Sequence, residues 1–591
     1  MKKKVLSILL AATFTVSMFA GCGNSNTTAK DDSAAKTEDT ADDAAEEETK
    51  DDAATEDTAS DGDFNITVNL ASEPMTMDPA LNSSVDGAIM ALHLFEGLMK
   101  WEDSGEVANG TDGTADSGKL VPGQAESYEK TENDDGTVTY TFKLRDGIKW
   151  SDGKDVTAGD FEYSWKRLVN PETAADYNYM LDGVVNANEI IAGEKDPDEL
   201  AAKALDDKTF EVTLVNDLSY FEELCAFPAM MPVREDMIEK AGDQWTFDTA
   251  TYISNGAYKL KEWTHNSQIV VEKNENYYDV ENLGPETITF KLMDDQNAML
   301  SGFNSGELDF IEDVPQAEIA NLIASGDMKI VDYIGTYYVC FQTQKAPFDD
   351  PRVRKAFSLA IDRTYIVNQV TQSGQVEAGG FVPSGVYDAD GADGDDFRTV
   401  GGDYYKPTDA DYEANCDEAR QLLADAGYPN GEGFPVVEYL YNTSDAHKAV
   451  AEALQFMWEE ELGVKVTLNN QEWAAFLQTR KDGDYSIARN GWIADYNDPI
   501  SFLDMWMTGG GNNDAQYAND DYDALIKQEK TTTDNAERMD LLHQAEDKLI
   551  GEDNVLAPLY FYTQKYMLAD GIEGMYYCPL GYFFFGYTHQ A

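Results

Sequence analysis

The chain has 591 residues, 42 % of them hydrophobic and 11 % aromatic. That is more than one hydrophobic core accommodates, so two or three domains are expected. Its 111 acidic residues against 43 Lys and Arg leave a formal net charge of −68, which argues against nucleic acid or an anionic membrane face as a partner and is compatible with cationic ligands.

Lys2, Lys3 and Lys4 precede an apolar run from Val5 to Phe19 and then Ala20-Gly21-Cys22. This is the order of a secretory signal over residues 1–21, and the cysteine after Ala-Gly resembles a lipobox. Cys22 is therefore predicted to carry lipid, and the acyl chains of such a cysteine suffice for stable anchoring. Residues 22–62 are Asp, Glu, Ala, Thr and Ser with almost no large apolar side chain, the composition of a solvated acidic tether. No later run reaches the ~18 apolar residues of a membrane span.

Residues 64–70 alternate as a strand, 90–100 read as a helix, and the Gly/Asp/Thr-rich 102–119 read as a surface insertion. Alternation returns at 137–144, Ser151-Asp-Gly153 is a turn, and Thr157 with Asp160 opens an amphipathic helix that Asn170-Pro171 closes. Strands follow at 209–215 and 268–273. Residues 336–342, aromatic and β-branched, read as a buried strand, and Asp350-Pro351 starts a helix. After the acidic loop 388–396, strands (436–441, 464–469) alternate with helices (444–460, 535–550). Mixed elements without a tandem repeat predict an α/β protein with more than one lobe.

Enzymatic motifs are absent: no HExxH, GxSxG, Walker loop or GxGxxG follows a strand. Ser151-Asp-Gly-Lys154 matches SxxK formally, but it sits in a turn and no KTG accompanies it. No catalytic residue, cofactor or metal site is predicted; the loop 388–396 lacks the spacing of a calcium loop. Cys225, Cys340, Cys416 and Cys578 are scattered, with no metal-ligand spacing, and read as isolated buried thiols. The sharpest local signal is Gly491-Trp-Ile-Ala-Asp-Tyr-Asn-Asp-Pro-Ile-Ser-Phe-Leu503. It sets Asp495 among apolar residues with no cation nearby. A half-buried carboxylate is costly unless a cation meets it. Asp495 is thus either a turn carboxylate satisfied by backbone N–H groups or a clamp for a ligand amine.

The motifs Ala71-Ser-Glu-Pro-Met-Thr-Met-Asp-Pro-Ala80, Leu94-Phe-Glu-Gly-Leu98 and Trp150-Ser-Asp-Gly-Lys-Asp-Val-Thr-Ala-Gly-Asp-Phe161 are shared by a wide class of extracellular solute-binding proteins. So are Asn255-Gly-Ala-Tyr258, Asp350-Pro-Arg-Val-Arg-Lys-Ala-Phe357 and Leu440-Tyr-Asn-Thr-Ser-Asp-Ala-His447. The stretch from Asn470-Gln-Glu-Trp473 to Leu503 is narrower. From about Thr67 to its end the chain resembles the oligopeptide-binding proteins of bacterial ABC importers, in the peptide/nickel class.

The resemblance implies a two-lobed fold of the periplasmic-binding-protein kind. Domain I would comprise 63–108, 232–334 and 564–591, domain II 109–231, and domain III 335–563. Crossovers near Gly335 and Thr563 would form a two-strand hinge. It implies that Asp495 pairs with the α-ammonium of a short peptide, and that Arg489, Arg480, His447 and Lys345 meet its carboxylate. Trp473 and Trp492 would line the cavity, and strand 336–342, with Tyr338, would bond the peptide backbone. Gly335 and Ile493 stand where some members carry a disulfide, so that crosslink is absent. The function implied is a monomeric, lipid-anchored receptor on the outer face of the cell membrane that hands peptides to an ABC permease. Rival readings are a receptor of the same fold for a dipeptide, muropeptide, nickel chelate or haem, a peptide-pheromone receptor, and a serine hydrolase acting through Ser151.

Overall fold

The computed structural model describes residues 64–107, 116–391, 394–406 and 409–591. The signal, Cys22 and the tether lie outside them. Residues 61–591 group as one unit built on a mixed sheet of eleven strands. In spatial order these are Val466–Gln471, Val437–Asn442, Ile487–Ile493, Lys329–Phe341, Leu556–Leu568, Phe310–Ile311, Asn65–Leu70, Thr287–Leu292, Gln268–Lys273 and Tyr258–Thr264. The eleventh, Val376–Glu377, pairs beside Leu556–Leu568. Parallel pairs lie toward either end of the sheet, 65–70 on 287–292 and 437–442 on 466–471.

Two strands of 13 residues, Lys329–Phe341 and Leu556–Leu568, run antiparallel through the middle. Their ladder is interrupted: Asp332 faces Thr563, and the next partners are Thr336 and Phe561. Gly335 sits in this interruption, opposite Ile493. A Cβ there would come within 2.4 Å of Ile493 Cδ1, so only glycine lets that side chain close over the strand.

An antiparallel sheet, Ala125–Glu132, Val138–Leu144, Thr209–Leu214 and Ala202–Asp206, forms a separate layer. Helix Ala158–Val169 covers it, opened by a reciprocal Thr157–Asp160 capping box that satisfies two otherwise orphaned N–H donors. The helix buries Phe161, Trp165 and Leu168 completely, and Trp165 meets Phe210 of the sheet edge to face at 5.1 Å.

Two expectations need correction. Residues 102–119 are not a plain surface insertion. Met99–Val107 and Asp116–Pro122 pair antiparallel, and the second strand adds in parallel to Tyr576–Cys578 of the C-terminal segment. The Asp and Gly content read as loop, but cross-strand partners supplied by the C-terminus decide the conformation. The helix expected at 90–100 runs from Val85 to Leu94. Ser84 caps it by accepting the Gly87 N–H, and Gly97 follows its end.

Cys225, Cys340, Cys416 and Cys578 are buried and unpaired. Among the described residues, no helix is long and apolar enough to cross a membrane, and no three His, Cys, Asp or Glu could hold a metal together. In the acidic loop, Asp388 accepts from His543 at 2.9 Å, and Asp396 caps the helix Phe397–Gly401.

Candidate functional site

A cavity of about 390 Å³ opens beside strand Ile487–Ile493. Every residue from Arg489 to Asp495 contributes to its wall, with helix Trp473–Lys481, the turn ahead of helix Val85–Leu94, Asp176-Tyr177, Leu580 and Tyr582 around it. The sheet explains why these seven residues are available. One edge of the strand pairs with Lys329–Phe341, whereas the other meets Val437–Asn442 only at Ile487 and Ala488. From Arg489 onward the second edge has no strand beside it among the described residues, and an unpaired edge is a template for another extended chain.

Asp495 stands two residues past the end of that strand. Its N–H donates to Ser501 Oγ at 2.8 Å, which fixes the turn. Its carboxylate is 7 % exposed and accepts one hydrogen bond, from Tyr177 Oη at 3.3 Å. Among the described residues no cation lies within 4.0 Å of it. Burial, reinforced by the charge of Asp504, raises its pKa well above the usual carboxylate range. Asp504 is itself pushed up to about 6 by burial, against the pull of Lys530.

Arg489 is the cationic counterpart. Its guanidinium lies over the Tyr337 ring at 5.2 Å, its Nε is buried without an acceptor, and among the described residues it has no carboxylate partner. Arg480 also lines the cavity, but its Nε is 2.8 Å from Asp514 Oδ2 and Nη1 donates to Asn490. Lys481, at the same wall, pairs with Asp176. Among the described residues six charged side chains thus line the cavity, four pair with each other, and one anion and one cation are left over.

Trp473 and Trp492 are in the wall. Trp473 stacks on Phe476 at 5.9 Å, and Trp492 Nε1 donates to Ser501 O at 2.7 Å. Lys345, His447 and Tyr338 are not in it. Lys345 Nζ donates to Gly483 O at 2.7 Å. His447 lies 5.6 Å from the Tyr337 ring; burial first, then Arg489 and Lys565, lower its pKa well below the usual value, so the ring is neutral at pH 7. Tyr338 packs between Phe381 and Trp506. Both edges of strand 336–341 are paired, so its ladder is closed to a peptide and the open edge belongs to the neighbouring strand. Tyr177, Asp504, Asp514 and Tyr582 were not legible as site residues.

The SxxK match does not assemble a nucleophile. Ser151 Oγ accepts the Ser254 N–H at 3.2 Å, and Lys154 is held by Asp236 at 2.7 Å.

Contacts join the antiparallel-sheet unit to the cavity's other wall. Lys530 pairs with Asp182 and with Asp504. Glu223 accepts the Asn497 N–H at 3.0 Å, and Tyr220 stacks on Tyr496 at 4.4 Å.

The family model of bacterial extracellular solute-binding proteins, family 5 middle region, matches residues 119–514. The periplasmic oligopeptide-binding protein OppA of Salmonella typhimurium is 37 % identical over 511 residues, covering 86 % of this chain and 88 % of that protein. The structure of Haemophilus influenzae OppA complexed with RPPGFSPFR superposes with a TM-score of 0.81 at 32 % identity, covering 90 % of this chain and 99 % of that one. The murein tripeptide-binding protein MppA of Escherichia coli matches with a TM-score of 0.78 (31 % identity, 89 % and 98 % covered), and a periplasmic murein tripeptide-binding protein MppA in its unliganded open form with only 0.57 (31 % identity, 89 % and 97 % covered). The arrangement here departs from that open form. The chain belongs to the bacterial extracellular solute-binding proteins of family 5.

Proposed function

We propose that this chain is a receptor that captures short peptides in the cavity beside Arg489 to Asp495 and passes them to an ABC permease. Lipid on Cys22 and the acidic segment behind it would hold it at the outer face of the cell membrane. The observation that carries the reading is an unpaired strand edge bounded by an unpaired cation, Arg489, and an unpaired anion, Asp495. A peptide is the zwitterion complementary to it. Its backbone adds to the edge whatever its side chains, its ammonium meets Asp495, and its carboxylate points toward Arg489, antiparallel to the strand. Four strand steps from Arg489 to Ile493 span about 13 Å, and the turn to Asp495 extends this to the length of about three to five residues. The volume falls within the range of small-ligand sites. The relatives named for oligopeptides support the reading, as does the complex with RPPGFSPFR.

The domains would be 63–108 with 232–334 and 564–591, 109–231, and 335–563, moving about the interrupted ladder at Gly335 and Thr563. Few dihedrals need change where two adjacent strands are the only links. The chain does no covalent chemistry on this reading and acts as a monomer.

The direct test is native mass spectrometry of the purified chain. A family of added masses matching short peptides is the expected result. One discrete non-peptide mass would replace this reading with a receptor for another solute.

Binding should also move protons. Without ligand, burial holds the Asp495 pKa above its unfolded value, so between those values the folded chain keeps a proton that the unfolded chain has lost. Its contribution to ligand-free stability therefore falls as pH rises from near 4. A bound ammonium favours the ionised form, so ligand uptake releases a proton and affinity rises with pH through the same window. Calorimetry near pH 6 in buffers of different ionisation enthalpy reads the release. Identical heats in both would contradict it.

A further inference from the structure

Two arginines reach the cavity, and the fold treats them differently. Arg489 stands on strand Ile487–Ile493 and is left without a carboxylate among the described residues. Arg480 stands in the last turn of helix Trp473–Lys481, its guanidinium over the Phe476 ring at 4.9 Å. Asp514 comes to it from a separate loop, with Oδ2 2.8 Å from Nε. Asn490 ties the two together: its Nδ2 donates to Asp514 Oδ2 at 3.0 Å, and its Oδ1 accepts from Arg480 Nη1. The Nε–H is not aimed at the nearby oxygen, so charge and Asn490, not a forked hydrogen bond, hold the pair.

The pair is built into the wall. Both side chains are 12 % exposed, and Asn490 is buried. The loop that carries Asp514 is pinned, since Asp514 O accepts from Tyr485 Oη at 2.7 Å and Ala515 O accepts from Thr343 Oγ1 at 3.0 Å. Burial raises the Asp514 pKa, and Arg480 is the strongest pull the other way. Among the described residues the wall carries three cations, Arg480, Lys481 and Arg489, and three anions, Asp176, Asp495 and Asp514. Without Asp514 one cation would be in excess, and a guanidinium in that state is a good receptor for a carboxylate. Successive residues of a strand face opposite sides, so Asn490 and its two partners lie across the strand from Arg489. A peptide added to the open edge turns alternate side chains toward that face.

We infer that Asp514 is a specificity-determining residue for the ligand's side chains, an internal counter-ion that occupies Arg480 and denies it to acidic ligands. This rests on the peptide reading above. A ligand carboxylate that approached Arg480 would have to displace Asp514, leaving that carboxylate enclosed without its cation, or sit beside it as a like charge. Both are unfavourable. A basic side chain meets Arg480 in the same way. An uncharged side chain, or water around a small one, meets neither obstacle. Rejection of the wrong ligand is thus supplied by a group that makes no contact with the right one.

The test uses tetra-alanine carrying Glu, Gln or Lys at one position at a time, titrated calorimetrically near pH 8 into the full chain and its variants. The wild type should bind no Glu peptide more tightly than its Gln counterpart. Asp514→Asn frees the guanidinium and should favour Glu over Gln about tenfold at the position facing Asn490, the scale of one hydrogen bond to a charged group. Arg480→Gln frees the carboxylate instead and should favour Lys over Gln to a similar extent at the same position. A Glu-to-Gln ratio that stays at its wild-type value in Asp514→Asn, even with both peptides weakened, would mean that Asp514 only supports the wall. A wild type that already prefers Glu would mean that Arg480 is open to ligands. Either result overturns the inference. If Asp514→Asn does not fold, Arg480→Gln decides, and a Lys-to-Gln ratio equal to that of the wild type overturns it. If the wild type binds none of these peptides, the peptide reading fails first and the inference with it.

Discussion

Asp495→Asn is expected to weaken peptide binding at least thirtyfold while raising the melting temperature of the ligand-free chain. The two effects share one cause. In the empty cavity the carboxyl is buried with a single phenol as its hydrogen-bond partner among the described residues, and at neutral pH keeping it there costs either an uncompensated charge or a proton that the unfolded chain has lost. The amide fills the same volume without the charge, so the empty state gains. The complex loses the partner of a buried ammonium, and breaking such a pair costs about 2–5 kcal/mol, of which the lower bound is about thirtyfold in affinity. Calorimetric titration with a short peptide, beside a thermal scan without it, measures both. An unchanged affinity would remove Asp495 from recognition, and a lower melting temperature would make it a structural turn residue.

Arg398→Met is expected to lower unfolding stability by about 3–5 kcal/mol without changing ligand affinity. Arg398 reaches Glu546 through two hydrogen bonds, 2.8 Å from Nη1 and 2.9 Å from Nη2, and the two side chains are 6 % and 0 % exposed. Glu546 also accepts the N–H groups of Phe381 and Val382, each at 2.8 Å. Removing the arginine leaves a charge that two amides and the Tyr404 hydroxyl, at 3.3 Å, do not balance. Neither residue lines the cavity, so the loss should appear in the urea midpoint and not in a binding isotherm. Arg398→Met combined with Glu546→Gln should recover most of it, because the orphaned charge is then gone. A double variant as unstable as the single one would show that packing, not charge, is what Arg398 supplies.

Which of these features were legible in the sequence follows from how local their causes are. The helix opened by Thr157 was readable because its capping box spans four residues, and Thr209–Leu214 because alternation is a property of the strand itself. Asp495 was readable as an anomaly, a carboxylate in an apolar stretch. Lys345, His447 and Tyr338 came from resemblance alone, and none of the three lies in the cavity wall. The pairing of Arg480 with Asp514, and of Lys530 with Asp182, depends on segments that meet only in the folded chain. So does the hairpin 99–122, whose partner is the C-terminus. Tyr582 carried no local signal at all. It was one of 32 tyrosines, and only the company it keeps in the cavity sets it apart.

The ion pairs that join Lys481 to Asp176 and Lys530 to Asp182 form between protein groups alone. On the receptor reading they therefore act in the vacant molecule too, and weight its resting ensemble toward the shut arrangement. A ligand can enter only the fraction that is ajar, and its apparent affinity is reduced by that fraction. Such bridges slow escape as well as arrival, so residence lengthens while capture slows. In dilute surroundings this favours holding a rare molecule over sampling many, and the balance shifts with ionic strength, since salt screens the exposed pair at Lys481 more than the enclosed one at Lys530.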